Sequence, residues 1–243
     1  DALPISWRVL CNAGDIPCDE TNLAVKAARM FFARTGLDCG GLTIELKKRT
    51  PSCAGMGGGS ADGAGVLRLL YDHYGSPLPE AELYALAESV GSDVPFALFG
   101  GTALAEEKGQ ILTRLPNLPC CQIVLCKPDF PVSTPALFRA MDGEAITRRP
   151  DTEGMLAALE TGDLKGVAET LYNVFEPVVA RQHPELAEIR ESLLRHGAVG
   201  ACMTGSGPTV FGLFDDKSDA ERAYTALSRN YADSFLIEPV RAT

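Results

Sequence analysis

Four of the five residues from Gly55 to Gly59 are glycine, with Met56 the exception. Two segments of different period flank the run. Leu42 to Lys48 alternates apolar and polar side chains, the pattern of a half-buried strand. Ser60 to Tyr74 is helical in pattern despite Gly63 and Gly65. Pro51 to Gly59 is therefore read as a loop that follows a strand and opens a helix. Glycine enters backbone conformations closed to other residues, and it leaves no side chain between its amide and a ligand. The start of the helix adds unpaired N–H groups and the favourable end of the helix dipole. Such a place suits a polyphosphate. The plainer reading of the same residues is a flexible surface turn.

Three familiar phosphate motifs fit poorly. A Walker loop requires G-x-x-x-x-G-K-[ST], and no lysine follows these glycines. A dinucleotide fingerprint requires G-x-G-x-x-G in a tight turn directly after the strand; here the pattern is G-x-G-x-x-S, and Pro51 to Ala54 intervenes. Asp129-Phe130-Pro131 is not the D-F-G of a protein kinase, and no H-R-D occurs.

The charge balance narrows the ligand class. The 243 residues carry a formal net charge of -10, with Lys47-Lys48-Arg49 the only basic cluster and Arg148-Arg149 a weaker pair. A nucleic-acid binder ordinarily shows a basic excess or stripe, so no nucleic-acid partner is predicted. A small anionic ligand stays compatible, because backbone N–H groups bind phosphate without net positive charge. An apolar fraction of 46% and a charged fraction of 22% are those of a soluble globular chain. No run approaches the roughly eighteen apolar residues of a membrane span, so no membrane partner is predicted. Asp1 to Ser6 has neither the basic end nor the apolar run of a signal peptide, and it lacks an initiator Met, which reads as an unnatural beginning. Of the eight cysteines none forms a C-x-x-C pair, and only three histidines are available, so no structural zinc site is predicted. The cysteines read instead as reduced, mostly buried thiols of a cytoplasmic protein. His73, His183 and His196 read as structural or exposed, and nothing in the sequence fixes an oligomeric state.

Further elements follow from pattern. Ile5 to Cys11 is a short strand, and Asn22 to Thr35 is a helix stopping at Gly36. Glu80 to Val90 is a helix begun by Pro79, and Thr102 to Glu106 pairs with Gln110 to Arg114 around Lys108-Gly109. After a break at Asn117-Leu118-Pro119 come a strand, Gln122 to Lys127, and a mostly helical region, Pro135 to His196. Strands Val199 to Thr204 and Thr209 to Phe214, a helix Asp219 to Asn230 and a strand Ser234 to Val240 complete the chain. The order of the second half predicts an antiparallel sheet backed by helices.

Pro51, Gly55, Met56, Gly57, Gly58, Gly59, Ser60 and Ala61 match in order the pattern P-x-x-x-G-[LM]-G-[GS]-[GS]-S-A, and by it the chain resembles the GHMP kinase superfamily. The likeness continues through Gly91-Ser92-Asp93-Val94-Pro95-Phe96, Gly100-Gly101-Thr102-Ala103-Leu104, Gly109-Gln110-Ile111-Leu112, Lys127-Pro128, Val132-Ser133-Thr134 and Asn173-Val174-Phe175-Glu176. It ends with Met203-Thr204-Gly205-Ser206-Gly207-Pro208-Thr209-Val210-Phe211, similar to the superfamily's third motif. The Gly57 to Asp62 variant and the Asp93 segment resemble the branch acting on a cytidine-diphosphate-linked methylerythritol. The family's opening P-A-K-[IL]-N-L and D-G-Y-H segments do not occur here. The resemblance thus implies that the opening segment is missing, together with the family's lysine near the transferred phosphate and its aromatic and His contacts to cytosine.

The resemblance implies an α+β, two-domain GHMP kinase fold, with a ribosomal protein S5 domain 2-like first half and a ferredoxin-like second half. Residues 1–119 would be the ATP-binding N-terminal domain and 120–243 the C-terminal domain. It implies transfer of the ATP γ-phosphoryl group to the 2-hydroxyl of the cytidylyl substrate, a step toward isoprenoid precursors, with ATP and Mg²⁺ as cofactors. Pro51, Gly55, Met56, Gly57, Gly58, Gly59 and Ser60 would wrap the ATP phosphates, and Gly205, Ser206 and Gly207 would abut that loop. Taken alone, the last three are a hairpin turn. Asp93 would be the catalytic base; its plainer reading is a helix N-cap. Ser60 could reach the metal or cap the helix, and Asp62 could simply favour the first helical turn; no full metal-ligand set is named. The alternatives are another GHMP kinase, acting on homoserine, mevalonate or a sugar, a non-catalytic nucleotide-binding relative, or an RNA-binding module, which the acidic charge disfavours. A short chain without the opening segment is expected to bind nucleotide weakly and turn over little.

Overall fold

The computed structural model describes residues 7–143 and 146–240. Ile5 and Ser6 of the expected first strand, and residues 144 and 145 of the mostly helical region, lie outside the described residues. The described chain forms two units: residues up to Ser52 together with Gly57–Arg114, and Cys53–Met56 together with Leu115 onward.

In the first unit β1 (Trp7–Cys11) pairs in parallel with β2 (Leu42–Leu46). Between them runs α1 (Leu23–Thr35), begun by the Asn22 side chain, whose oxygen accepts from the Ala24 N–H at 2.9 Å. It is ended at Gly36, with φ 67°. The helices α2 (Gly58–His73), α3 (Glu80–Val90) and α4 (Val94–Phe99) follow, then the antiparallel hairpin β3 (Ala103–Glu106) and β4 (Ile111–Arg114). The core lies where α1, α2 and α3 turn Phe31, Leu67, Leu83 and Val90 inward, with Ile44 and Leu46 of β2 and Val94 of α4 against them. Alanines at 24, 27 and 28 present a flat face of α1, which lets neighbouring elements approach.

The second unit is built on a four-stranded antiparallel sheet of β5 (Gln122–Lys127), β6 (Gly200–Met203), β7 (Val210–Phe214) and β8 (Asp233–Ile237), in the order β6-β7-β5-β8. This is the antiparallel sheet that the β-helices-β-β-α-β pattern pointed to, in the ferredoxin-like order that the resemblance implied. Between β5 and β6 lie α5 (Thr134–Met141), α6 (Thr152–Thr161), α7 (Leu164–Thr170), α8 (Glu176–Gln182) and α9 (Glu185–Arg195); α10 (Lys217–Leu227) precedes β8. Side chains alternate across the sheet. Val210 and Phe214 of β7 join Leu186, Ile189 and Leu193 of α9 and Ala220 and Leu227 of α10 in one core. Leu213, between them, points to the other face, where it meets Leu159 of α6 and Val167 of α7. The sheet is thus covered on both faces, more fully than a sheet backed on one side.

Several limits shift by one to three residues, as α10 does from the expected Asp219–Asn230 and β8 from Ser234–Val240, and two differences bear on the motifs. The helix α2 begins at Gly58, two residues inside the expected loop, although glycine disfavours helix. Val94–Phe99, read only as a short apolar run, is a helix opened by Pro95 near its start. Six residues are too few to show a helical period.

Candidate active site

In the first unit the glycine run supplies an uncapped helix start. Gly57 occupies the N-cap position with φ 64°, and no side chain caps α2. The first backbone bond of the helix runs from Ala61 N–H to Gly57 O at 2.9 Å. The N–H groups of Gly58, Gly59 and Ser60 stand ahead of that ladder, at the positive end of the helix. Ser60 is therefore not the N-cap, which corrects one of its two readings, and among the described residues its hydroxyl makes no hydrogen bond.

Beside this start sits a cation that pattern reasoning passed over as part of a basic cluster. The Lys48 side chain is only 8% exposed, and its Nζ lies 2.5 Å from Asp62 Oδ2. A Cβ placed on Gly58 would come within 3.4 Å of that Nζ. Asn12 fixes the lysine's backbone: its Oδ1 accepts from Lys48 N–H at 2.7 Å and its Nδ2 donates to Lys48 O at 3.2 Å. Asp62 thus holds Lys48 rather than serving the first helical turn. Nearby, the Ser52 hydroxyl donates to Asp15 at 2.5 Å and holds that carboxyl below its ordinary range.

Asp93 occupies the N-cap position of α4, yet its side chain makes no capping bond. Its carboxylate is exposed and, among the described residues, meets the Ser92 hydroxyl alone, at 3.4 Å. The turn that carries it is pinned from below: Lys26 Nζ of α1 donates to Val90 O at 2.8 Å, and Val94 N–H to Gly91 O at 3.1 Å. A capping aspartate would spend its oxygens on backbone amides; this one leaves them available to a proton donor.

In the second unit the Cys53–Met56 stretch of the loop packs on the β6–β7 turn. A Cβ on Gly55, where φ is 69°, would stand 2.5 Å from Thr204 O and 2.8 Å from Gly207 N. A Cβ on Gly205 would stand 3.0 Å from Gly55 O. The approach is possible only because both residues are glycine, and Thr204 Oγ1 bridges it with a 3.1 Å bond to Gly55 O. Gly205, Ser206 and Gly207 thus form the hairpin turn of the plainer reading, and that turn lies against Gly55. The Ser206 hydroxyl meets Thr134 Oγ1 at 2.9 Å. Pro51 stays with the first unit and Met56 with the second.

The histidines have ordinary surroundings: His73 meets the Tyr74 ring, His183 stacks on Phe130 at 3.7 Å, and His196 Nδ1 contacts Ser192 O. Among the described residues no group of three or more His, Cys, Asp or Glu stands together to hold a metal, and no helix is long and apolar enough to cross a membrane.

The uncapped glycine start of α2, with the Lys48 ammonium beside it in the first unit, is an arrangement suited to holding phosphate, as a small-molecule kinase requires. Models of known families agree: that described as GHMP kinases N terminal domain matches residues 22–101, and that described as GHMP kinases C terminal matches residues 155–233. The chain belongs to the GHMP kinase family. It is 39% identical over 233 residues to the 4-diphosphocytidyl-2-C-methyl-D-erythritol kinase of Clostridium novyi (strain NT), covering 96% of this chain and 83% of that one. A crystal structure of 4-(cytidine 5'-diphospho)-2C-methyl-D-erythritol kinase superposes with a TM-score of 0.79 at 34% identity, covering 97% of this chain and 83% of that one. The homoserine kinase of Cytophaga hutchinsonii superposes with a TM-score of 0.77 at 18% identity, over 98% and 82% of the two chains, which shows a shared fold alone.

Proposed function

We propose that this chain transfers the γ-phosphoryl group of ATP to the 2-hydroxyl of 4-diphosphocytidyl-2-C-methyl-D-erythritol. The observation that carries the phosphotransfer reading is the bare N-terminus of α2 with the Lys48 ammonium beside Gly58. The choice of acceptor draws on the identity to kinases of that name, which extends over nearly the whole chain. In this reading Gly55, Met56, Gly57, Gly58, Gly59 and Ser60 wrap the ATP phosphates, following Pro51, while Gly205, Ser206 and Gly207 close on the loop. Phosphoryl transfer asks chiefly for positioning and for stabilisation of negative charge. The amides of Gly58, Gly59 and Ser60 supply fixed donors, and Lys48 supplies a charge that Asp62 keeps from swinging away.

Asp93 is the base of this reading: an exposed carboxylate on a pinned turn, free to accept the proton of the acceptor hydroxyl. Mg²⁺ would arrive with ATP and neutralise phosphate charge. The Ser60 hydroxyl fits one position on such an ion, since Mg²⁺ in nucleotide sites keeps most of its shell as water and phosphate oxygen.

The test is a coupled assay of ADP release, run with ATP, Mg²⁺ and each of the cytidylyl alcohol, homoserine, mevalonate and galactose. Turnover of the cytidylyl alcohol well above the others is the expected result. Preference for another alcohol would move the chain to a different GHMP branch, and ATP binding without turnover of any, even in a protein that also carries the family's opening segment, would make it a non-catalytic relative.

A further inference from the structure

The Asn173-Val174-Phe175-Glu176 segment has no part in the function just described, yet its polar side chains are fully engaged. They engage β6, which is an edge strand paired only with β7. An unpaired edge leaves N–H and C=O groups that must find partners. Here three side chains provide them. Arg190 Nε of α9 donates to Ala201 O at 3.1 Å. Glu176, the first residue of α8, accepts the Met203 N–H on Oε2 at 2.8 Å. Asn173 Nδ2 donates to Met203 O at 2.8 Å.

Asn173 then does something that closing a strand edge does not require. Its Nδ2 also donates to Gly205 O at 2.8 Å, beyond the end of β6 and inside the turn. Its Oδ1 accepts the Phe175 N–H at 2.9 Å, which fixes the amide's orientation. A side-chain amide has two N–H donors and one carbonyl, and all three are used. One residue therefore sets the path of the chain from Met203 to Gly205. Gly205 is the residue whose added Cβ would press on Gly55 O. Gly55 stands two residues before Gly57, the cap of α2.

We infer that Asn173 and Glu176 are positioning residues for the nucleotide site: they set the Gly205–Gly207 turn at the one height that lets it close on Gly55, and so fix the course of the phosphate loop. Neither side chain touches the nucleotide in this account; both act through the turn. The inference rests on the proposed reading that this turn and loop bind ATP.

The experiment uses the full chain, with ATP in magnesium-containing buffer as the probe. Asn173→Ala removes the bonds to Met203 O at the end of β6 and to Gly205 O in the turn, and the expected result is a rise of about tenfold in Kd and KM for ATP, the worth of one or two such bonds. KM for the alcohol should stay at the wild-type value. Glu176→Gln keeps an oxygen that can accept from Met203 N–H and should bind ATP as wild type does, whereas Glu176→Ala should weaken ATP as Asn173→Ala does. A merely structural role would lower the melting temperature without this split between the two substrates. Gly205→Ala, measured alongside, separates the two levels of the argument. If folded Gly205→Ala binds ATP normally, the nucleotide reading of the turn falls, and the inference with it. If Gly205→Ala weakens ATP while folded Asn173→Ala does not, the inference alone is overturned. Loss of the folded state in Asn173→Ala would also overturn it, because the contacts would then serve the fold and not the turn.

Discussion

At Gly58 a side chain fits if the Thr50 and Lys48 side chains give slightly. A Cβ there would stand 3.2 Å from Thr50 Cγ2 and 3.4 Å from Lys48 Nζ. Gly58→Asp would therefore put a carboxylate within reach of the ammonium and in the place proposed for phosphate. ATP binding should be lost while the far-UV spectrum and melting temperature change little; unchanged ATP affinity in the folded variant would remove the phosphate-loop assignment. Asp93 makes the opposite prediction. Its carboxylate caps nothing, so Asp93→Asn should leave the fold and ATP affinity intact and lower kcat by roughly 10²–10⁴, the usual worth of a positioned base. Turnover near the wild-type rate would move the base elsewhere. Both proposed roles come from the sequence, because each residue sits in a contiguous motif that the resemblance picks out. That of Lys48 does not. Its neighbours Lys47 and Arg49 make it look like a solvated basic run, and only the fold buries it while leaving Lys47 76% exposed.

At the scale of elements, the start of α2 depends on a pair that joins the chain just past β2 to the helix. Removing one partner of a partly buried ion pair leaves an uncompensated charge, whereas replacing both with apolar groups can be close to neutral. Lys48→Met should therefore destabilise the protein by about 3 kcal/mol and weaken ATP. Adding Asp62→Leu should recover much of the stability and none of the ATP affinity. Urea unfolding and ATP calorimetry on the two single variants and the double variant complete the cycle. Recovery of ATP affinity in the double variant would mean that Lys48 serves Asp62 alone. Some helix and strand limits with local causes were readable, though the Asp216 cap that starts α10 was passed over. The strand Gln122–Lys127 and the helix Glu80–Val90 stand where pattern put them, the one bounded by Pro128 and the other begun by Pro79. The limit of α2 was not readable, because glycines at 58 and 59 are helical only when the rest of the helix packs on the core through Ala64 and Leu67.

Over the whole molecule the two units differ in how they bury thiols. Cys121, Cys126 and Cys202 are all in the second unit, and burial pushes their thiols up to about 11, about 11 and about 12 from 9.0. A group whose folded-state value is raised stabilises the fold below its unfolded value, and that stability is lost as pH climbs toward the folded value. Thermal melts should therefore be insensitive to these groups below pH 9.0 and fall progressively above it. Tyr84 and Tyr231, raised from 10.0 by burial, act in the same direction at higher pH. A melting temperature that stays level through the alkaline range would mean that the thiols reach water.

The amino-acid sequence by itself determined the strand-loop-helix around the glycine run, the succession of family motifs, and the antiparallel character of the second half. Each is written in local order: periodicity, turn residues, and glycine where the backbone needs it. It also carried the motif residues of the proposed site, though not Lys48, because those motifs are short and contiguous. Only the tertiary structure decided which distant groups meet. Thr204 bonds Gly55 across 149 positions, Asn173 reaches Gly205 across 32, and Lys48 finds Asp62 across 14. Such contacts have no period and no fixed spacing. They exist because two separately packed elements bring a donor and an acceptor within about 3 Å, a consequence of how each core closes rather than of the order of residues along either segment.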